Sequence, residues 1–114
     1  MSPNTDHLIA AEEALAVARE VLPIFEQAEQ HDDRPRKALE TLVAWMKGDA
    51  SASEVRQAAF DAHEAARDTV DLPARYAARA CGQAASVAHV ITHAPHAIRY
   101  AEKAKAELAN ANRD

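Results

Sequence analysis

Three histidines lie within eight positions of the segment AHVITHAPHAIRY, which runs from 88 to 100. His89, His93 and His96 are spaced by four and then three residues, which on a single helix places them on one stripe. Imidazole binds metals and carries protons near neutral pH, so such a stripe favours a metal site or acid–base chemistry. The alternative is a wall of packed helix whose histidines are bonded to neighbouring groups.

A zinc ion needs three or four ligands, and the chain has enough candidates for one. His63, on an earlier predicted helix, would join His89, His93 and His96 if the two helices faced each other. However, His89 is followed by Val90 rather than glutamate, and no CxxC pair is present. We therefore expect no cofactor, and zinc or another divalent transition metal on these four histidines remains the alternative.

Nucleophilic catalysis has little support in the sequence. Cys81 is the single cysteine, and His89 lies two helical turns away, too far to activate it, although His63 could approach from a neighbouring helix. No glycine motif for an oxyanion hole accompanies the cysteine. No P-loop, dinucleotide fingerprint, kinase set or nucleophile elbow occurs either. We expect Cys81 to pack in the core, and the chain not to be an enzyme.

Two charged segments are candidate partner-binding surfaces. The run DDRPRK supplies four of these residues at a predicted helix start, namely Asp32, Asp33, Arg34 and Arg36. The next predicted helix and its end supply an acidic stripe, whose members are Asp61, Glu64, Asp68 and Asp71. Both segments are either solvated faces with local ion pairs or docking surfaces for a basic partner, whose association complementary charge would accelerate.

The overall charge and hydropathy exclude several classes of protein. The net charge is −5 and the basic residues are scattered, so we expect no nucleic-acid partner. The N-terminal segment lacks the basic and apolar regions of a signal peptide, and no apolar run is long enough to span a bilayer. We therefore expect a cytoplasmic protein with no membrane partner.

Abundant alanine and scarce glycine predict an all-α fold, a single compact bundle of five to six helices. We expect one domain over residues 1–114, with a core from about 6 to 109 and a short frayed tail. Pro23 should kink or restart the first helix, and Pro95 should kink the chain after a helix from 74 to about 94. The segment from Ser51 to Glu54 is a capping box for the helix in which Phe60 would be the large core anchor.

That alanine-rich helix has a nearly flat face of small side chains, where another helix can approach closely. Its members are Ala77, Ala78, Cys81, Gly82, Ala85 and Ala88. Such a face would serve the core of one chain or the interface of a homodimer, so a self-associating structural module is a further alternative.

Several segments together resemble a bacterial family of small all-helical immunity proteins, similar to the fifth immunity class of polymorphic toxin systems. The most specific segments are DDRPRKALE and AHVITHA, and the resemblance covers about residues 7–106. The positions that match are Asp32, Asp33, Arg34, Pro35, Arg36, His89 and His93. The resemblance implies a non-enzymatic protein that binds a protein toxin and neutralises it by steric occlusion. It transfers no catalytic residue. A small metal-binding protein or metalloenzyme that uses the histidines is the rival hypothesis.

Overall fold

The computed structural model describes residues 4–113, which form five α-helices and no strand. In chain order the helices are α1 (Thr5–Ala28), α2 (Arg34–Met46), α3 (Ala52–Asp68), α4 (Leu72–Ser86) and α5 (His93–Ala111). The predicted all-α bundle is confirmed.

Helix α4 is the centre of the bundle. It contacts each of the other four helices, while within residues 4–113 the backbones of α3 and α5 flank it without meeting. Its inner side consists of alanine, Cys81 and Gly82, and these small side chains let the neighbouring helices approach closely. The bundle is a flat slab of 51 × 25 × 16 Å. The outer side of α4 stays partly open between α3 and α5, where Arg75, Arg79 and Gln83 are half-buried.

Gly82 lies in the middle of α4 because His63 of α3 packs directly against it. A β-carbon at this position would be 2.5 Å from His63 Nε2 and 2.6 Å from His63 Cε1. Glycine in a helix interior is about 1 kcal/mol less favourable than alanine, so the space required by the ring explains the glycine.

Helix α1 continues through Pro23, so the predicted kink or restart at this residue is wrong. Val21, Leu22 and Phe25 are buried on both sides of the proline, and a continuous helix keeps them on one inner face. Their burial outweighs the about 3 kcal/mol that a proline costs inside a helix.

The predicted helix from 74 to about 94 is also too long. Helix α4 ends at Ser86, residues 87–92 are largely turn, and α5 begins at His93. Pro95 therefore lies in the first turn of α5, where a backbone N–H has no helical acceptor and its loss costs nothing. The proline belongs to a helix start rather than a kink, and His89 is separated from the helix that carries His93 and His96.

The predicted capping box of α3 is confirmed, but the predicted core anchor of this helix is not. Ser51 Oγ accepts from Glu54 N at 3.1 Å and Glu54 Oε1 accepts from Ser51 N at 3.2 Å, which completes the capping box. Gly48 ends the turn region after α2 with φ of +84°. Phe60, however, is 54% exposed, and the largest fully buried side chain is Phe25 of α1.

Candidate functional site

The four candidate histidines lie on neighbouring elements without converging on one point. His63 is on α3, His89 is in the turn before α5, and His93 and His96 are in the first turn of α5. The rings of His93 and His96 are 6.4 Å apart between centroids. Within the described part of the chain, no three His, Cys, Asp or Glu side chains are placed to hold one metal ion. The four-histidine zinc site of the alternative hypothesis is therefore not assembled.

Three of these histidines are hydrogen-bonded to different polar neighbours. His63 Nδ1 accepts from Arg79 Nη1 at 2.9 Å, and His93 Nδ1 donates to Gln83 Oε1 at 2.7 Å. His89 Nδ1 lies 3.4 Å from Arg56 Nη2, while its buried Nε2 has no protein partner. Each ring is thus fixed by its own neighbour, as expected for histidines in a packed helix wall.

Burial and nearby positive charge keep the central histidines neutral. Burial lowers the pKa of His63 to about 4, and the charges of Arg79, Arg67 and His93 act in the same direction. The pKa of His93 is lowered first by burial and then by His96 and His89. Both imidazoles are therefore uncharged at pH 7.

The outer sides of α3, α4 and α5 form one continuous surface, which we call the cationic face. Helix α3 contributes Arg56, Phe60, His63 and Arg67, and the turn between α4 and α5 adds His89, which lies beside Arg56. The floor on α4 consists of Arg75, Tyr76, Arg79 and Gln83, and α5 contributes His93, His96, Tyr100 and Lys103. The spacing of these residues along α3 and α5 is three or four, so each helix turns a single stripe towards this surface.

Cations lie against aromatic rings on both sides of α4. On α3, Arg67 Cζ is 5.9 Å from the centroid of Phe60. On the side of α5, Lys103 Nζ is 5.5 Å from the centroid of Tyr76 and 5.6 Å from that of Tyr100, and these two rings stack at 6.1 Å. These contacts hold long side chains beside the rings that they cover.

The cations of this face lack carboxylate partners within residues 4–113. No Asp or Glu oxygen lies within 4.0 Å of Arg56, Arg67, Arg79 or Lys103, whereas ion pairs occur at other places in the bundle. The reason is visible in the sequence, because the segment from 72 to 101 contains three arginines, three histidines and no acidic residue. This acid-free segment can be read from the sequence, although it matches no catalytic or metal-binding motif.

The charged side chains of the predicted DDRPRK surface are paired with other residues of the same chain. Arg34 Nη2 is 2.7 Å from Asp32 Oδ2 and 2.9 Å from Asp68 Oδ2, so it ties the α1–α2 turn to the end of α3. The hydrogen bond from Arg34 lowers the pKa of Asp32 and raises that of Arg34 itself. Asp33 is 3.5 Å from Lys37, and Arg36 pairs with a glutamate of α1, Glu26.

The remaining members of the acidic stripe also have local partners or partial burial. Asp61 Oδ1 accepts from Gln57 Nε2 at 2.9 Å, and Asp71 Oδ2 caps α4 by accepting from Ala74 N at 3.0 Å. Glu64 is half-buried. The stripe therefore contributes to helix capping and inter-helix pairing, a structural use that its spacing in the sequence does not reveal.

The alanine-rich face predicted as a possible homodimer surface is inside the chain. Its alanines and Cys81 are at most 6% exposed, and Gly82 is buried as well. It packs against the other helices of the same chain, so it is not available to a second copy. Burial also raises the pKa of the Cys81 thiol to about 12, which removes the thiolate needed for nucleophilic attack.

The sequence patterns do not indicate a role for His7, which makes a contact between distant parts of the chain. His7 Nε2 donates to the carbonyl oxygen of Val87, and its ring meets Trp45 edge-on at 5.1 Å between centroids. These contacts fasten the start of α1 to the end of α4 and to α2. No local pattern could reveal them, because His7 and Val87 are 80 residues apart in the sequence.

Comparison with known proteins identifies the class of this protein. The sequence model of the family described as "Imm-5 like putative immunity protein" matches residues 3–113, nearly the whole chain. No curated protein and no solved structure matches it. The chain therefore belongs to the Imm-5 like immunity family, and the resemblance noted from its motifs is confirmed. None of the helices described is long and apolar enough to cross a membrane.

Proposed function

We propose that this protein is a cytoplasmic, non-enzymatic immunity protein that binds a bacterial protein toxin and neutralises it by steric occlusion. The observation that carries the proposal is the family match over residues 3–113. The chemistry of the chain agrees with a binding role, because Cys81 is buried and protonated and the central histidines are neutral and hydrogen-bonded.

The shape of the bundle suits occlusion. A standard protein–protein interface takes about 800 Å² from each partner. The broad side of the slab measures 51 by 25 Å, so one side is large enough for such an interface. Helices packed through small side chains also present this side as a rigid surface, which keeps the entropy cost of binding low.

Growth protection tests the proposal directly. Candidate toxins of the producer strain would be expressed in a sensitive host with and without this protein, and growth and complex formation on a sizing column would be followed. We expect this protein to restore growth against one of the candidate toxins and to form an equimolar complex with that toxin on the sizing column. Continued growth inhibition by every candidate, in cells that contain an excess of folded protein, would contradict the proposal.

A further inference from the structure

We propose that the cationic face is the surface that contacts the toxin, and that the toxin presents an acidic polypeptide surface to it. The inference rests on the proposed function, which it deepens by naming the contact surface and the chemistry of the partner. It moves the proposed contact from the two charged segments expected from the sequence, DDRPRK and the acidic stripe, to a different side of α3.

The distribution of charge is the first observation. The chain has 13 basic and 18 acidic residues, and the segment from 72 to 101 has three arginines and no acid. That segment therefore carries +3, and the rest of the chain, with 10 basic and 18 acidic residues, carries −8. An acidic partner would be steered towards the cationic face, to which this segment contributes the residues of α4 and most of those of α5, and repelled by the acidic remainder of the surface, which sets the orientation of the encounter.

The second observation is that cations of the cationic face have no carboxylate partner among the described residues. Arg56, Arg67 and Lys103 are exposed and lie within 4.0 Å of no carboxylate in the described chain. New charge-assisted hydrogen bonds to carboxylates of a partner would therefore form without the loss of an existing ion pair. A cation such as Arg34 is different, because it would have to give up Asp32 and Asp68.

The aromatic content of the face is the third observation. Phe60 is 54% exposed, although a phenylalanine is normally buried, and the guanidinium of Arg67 lies over its ring. Aromatic and arginine side chains are the residues enriched at the energetic centres of protein interfaces. Tyr76 and Tyr100 add a second aromatic pair beside Lys103. We therefore place Phe60 and Arg67 at the centre of the contact, opposite an apolar side chain with acidic neighbours.

A nucleic acid is the competing kind of partner, and the charges favour a protein. Nucleic-acid binding draws on many phosphate contacts, and the −8 on the rest of the chain would repel a phosphate backbone that extends beyond the face. An acidic patch on a folded protein can be limited to the area of the cationic face, so it avoids this repulsion. The test below nevertheless includes a nucleic acid, so that this outcome is recognised.

Matched charge reversals separate this face from the rest of the surface. The double variant R56E/R67E reverses two cations of the face, and R19E/K47E makes the same change in net charge at exposed residues on α1 and just after α2. Binding to the toxin identified by growth protection would be measured by calorimetry at low and physiological salt. We expect at least a 100-fold loss of affinity for R56E/R67E, at least 10-fold for F60A, and less than 3-fold for R19E/K47E. Circular dichroism and thermal unfolding would show whether each variant is folded, and F60A provides the test if R56E/R67E is not.

Equal effects of R56E/R67E and R19E/K47E, with wild-type protein still protecting cells, would overturn the inference and leave the proposed function intact. If no toxin is found, the proposed function fails, and the face is tested alone with a peptide of twelve glutamates. Amide shifts in the NMR spectrum confined to α3, α4 and α5 would support it, whereas no shifts, or shifts spread over α1 and α2, would contradict it. Tighter binding of a single-stranded DNA oligonucleotide than of the toxin or peptide, lost in R56E/R67E, would also overturn the proposal.

Discussion

Helix α3 carries acidic side chains on the side towards α2, and basic and aromatic side chains on the side towards the outer surface of α4. On the first side, Asp68 pairs with Arg34 and Asp61 is bonded to Gln57. On the second side, Arg56 and Arg67 have no carboxylate partner among the described residues. Both sides look like charged helix stripes in the sequence, yet Asp68 of the first side has an ion pair and the two arginines of the second side have none among the described residues.

The difference arises from what the fold brings next to each stripe. The α1–α2 turn places Arg34 against the end of α3, where it pairs with Asp68. The neighbour on the other side is α4, which has arginines and no acidic residue. A run of like charges therefore indicates a binding surface only when the segments packed beside it lack the opposite charge.

The largest effect that would test the packing of the cationic side is expected for Gly82→Ala. The new methyl group would collide with the imidazole of His63, which Arg79 holds in place, and overpacking of this kind costs about 3 kcal/mol in the free energy of unfolding. Urea unfolding of the wild type, G82A, H63A and the double variant would measure it. In the H63A background the same change should be neutral or stabilising by up to about 1 kcal/mol, since alanine favours the helix. Simple additivity of the two changes would show that the ring does not occupy this space.

A smaller change in the free energy of unfolding is expected when the pH is lowered. The two sides of α3 should lose stability in different pH ranges. The pKa of His63 is about 4 in the folded protein and near 6.5 when unfolded, so the unfolded chain binds the proton first. Stability should therefore fall as the pH drops from 6.5 to 4, by about 2 kcal/mol once screening of the half-buried ring is allowed for. His63→Gln should flatten the profile in this window.

The acidic side should respond only at lower pH. The pKa of Asp32 is depressed below 3.8 by Arg34, so its contribution is present above that value and is lost as the pH falls through the lower folded pKa. Urea unfolding at intervals from pH 7 to pH 3 would resolve the two windows. A profile that is flat from 6.5 to 4 in the wild type would contradict the burial of His63.

The smallest effect is expected from the removal of single arginines. Arg34→Ala breaks contacts with Asp32 and Asp68 and should destabilise the fold by about 1 kcal/mol, less in high salt. Arg67→Ala is the matched change on the cationic side, where no ion pair is lost, and should stay within about 0.5 kcal/mol. An equal, salt-sensitive loss for both variants would remove the distinction between paired and unpaired charge.

Local signals in the sequence are enough to predict most of the helices but not the points where helices end or continue. The capping box at Ser51 depends on residues that are neighbours in the sequence, and it is confirmed. The continuity of α1 through Pro23 depends on burial against other helices, which outweighs the local cost of proline.

The candidate site was harder to predict because it depends on contacts between distant segments. The histidines were recognised by type, but the break after Ser86 moved His89 off the helix, and the partners Arg56, Arg79 and Gln83 follow from tertiary packing alone. Phe60 was assigned to the core by its size, whereas its angular position on α3 next to Arg56 and Arg67 places it outside.

The burial of Cys81 at the middle of α4 has a practical consequence for kinetics. Its thiol is fully buried among helices that surround α4, and its pKa of about 12 leaves almost no thiolate in the folded state. An alkylating or disulfide reagent can therefore react only after α4 has separated from its neighbours. The rate of labelling of this single thiol reports how often the whole bundle opens, and a bound partner that closes the bundle further would slow that rate without touching the cysteine.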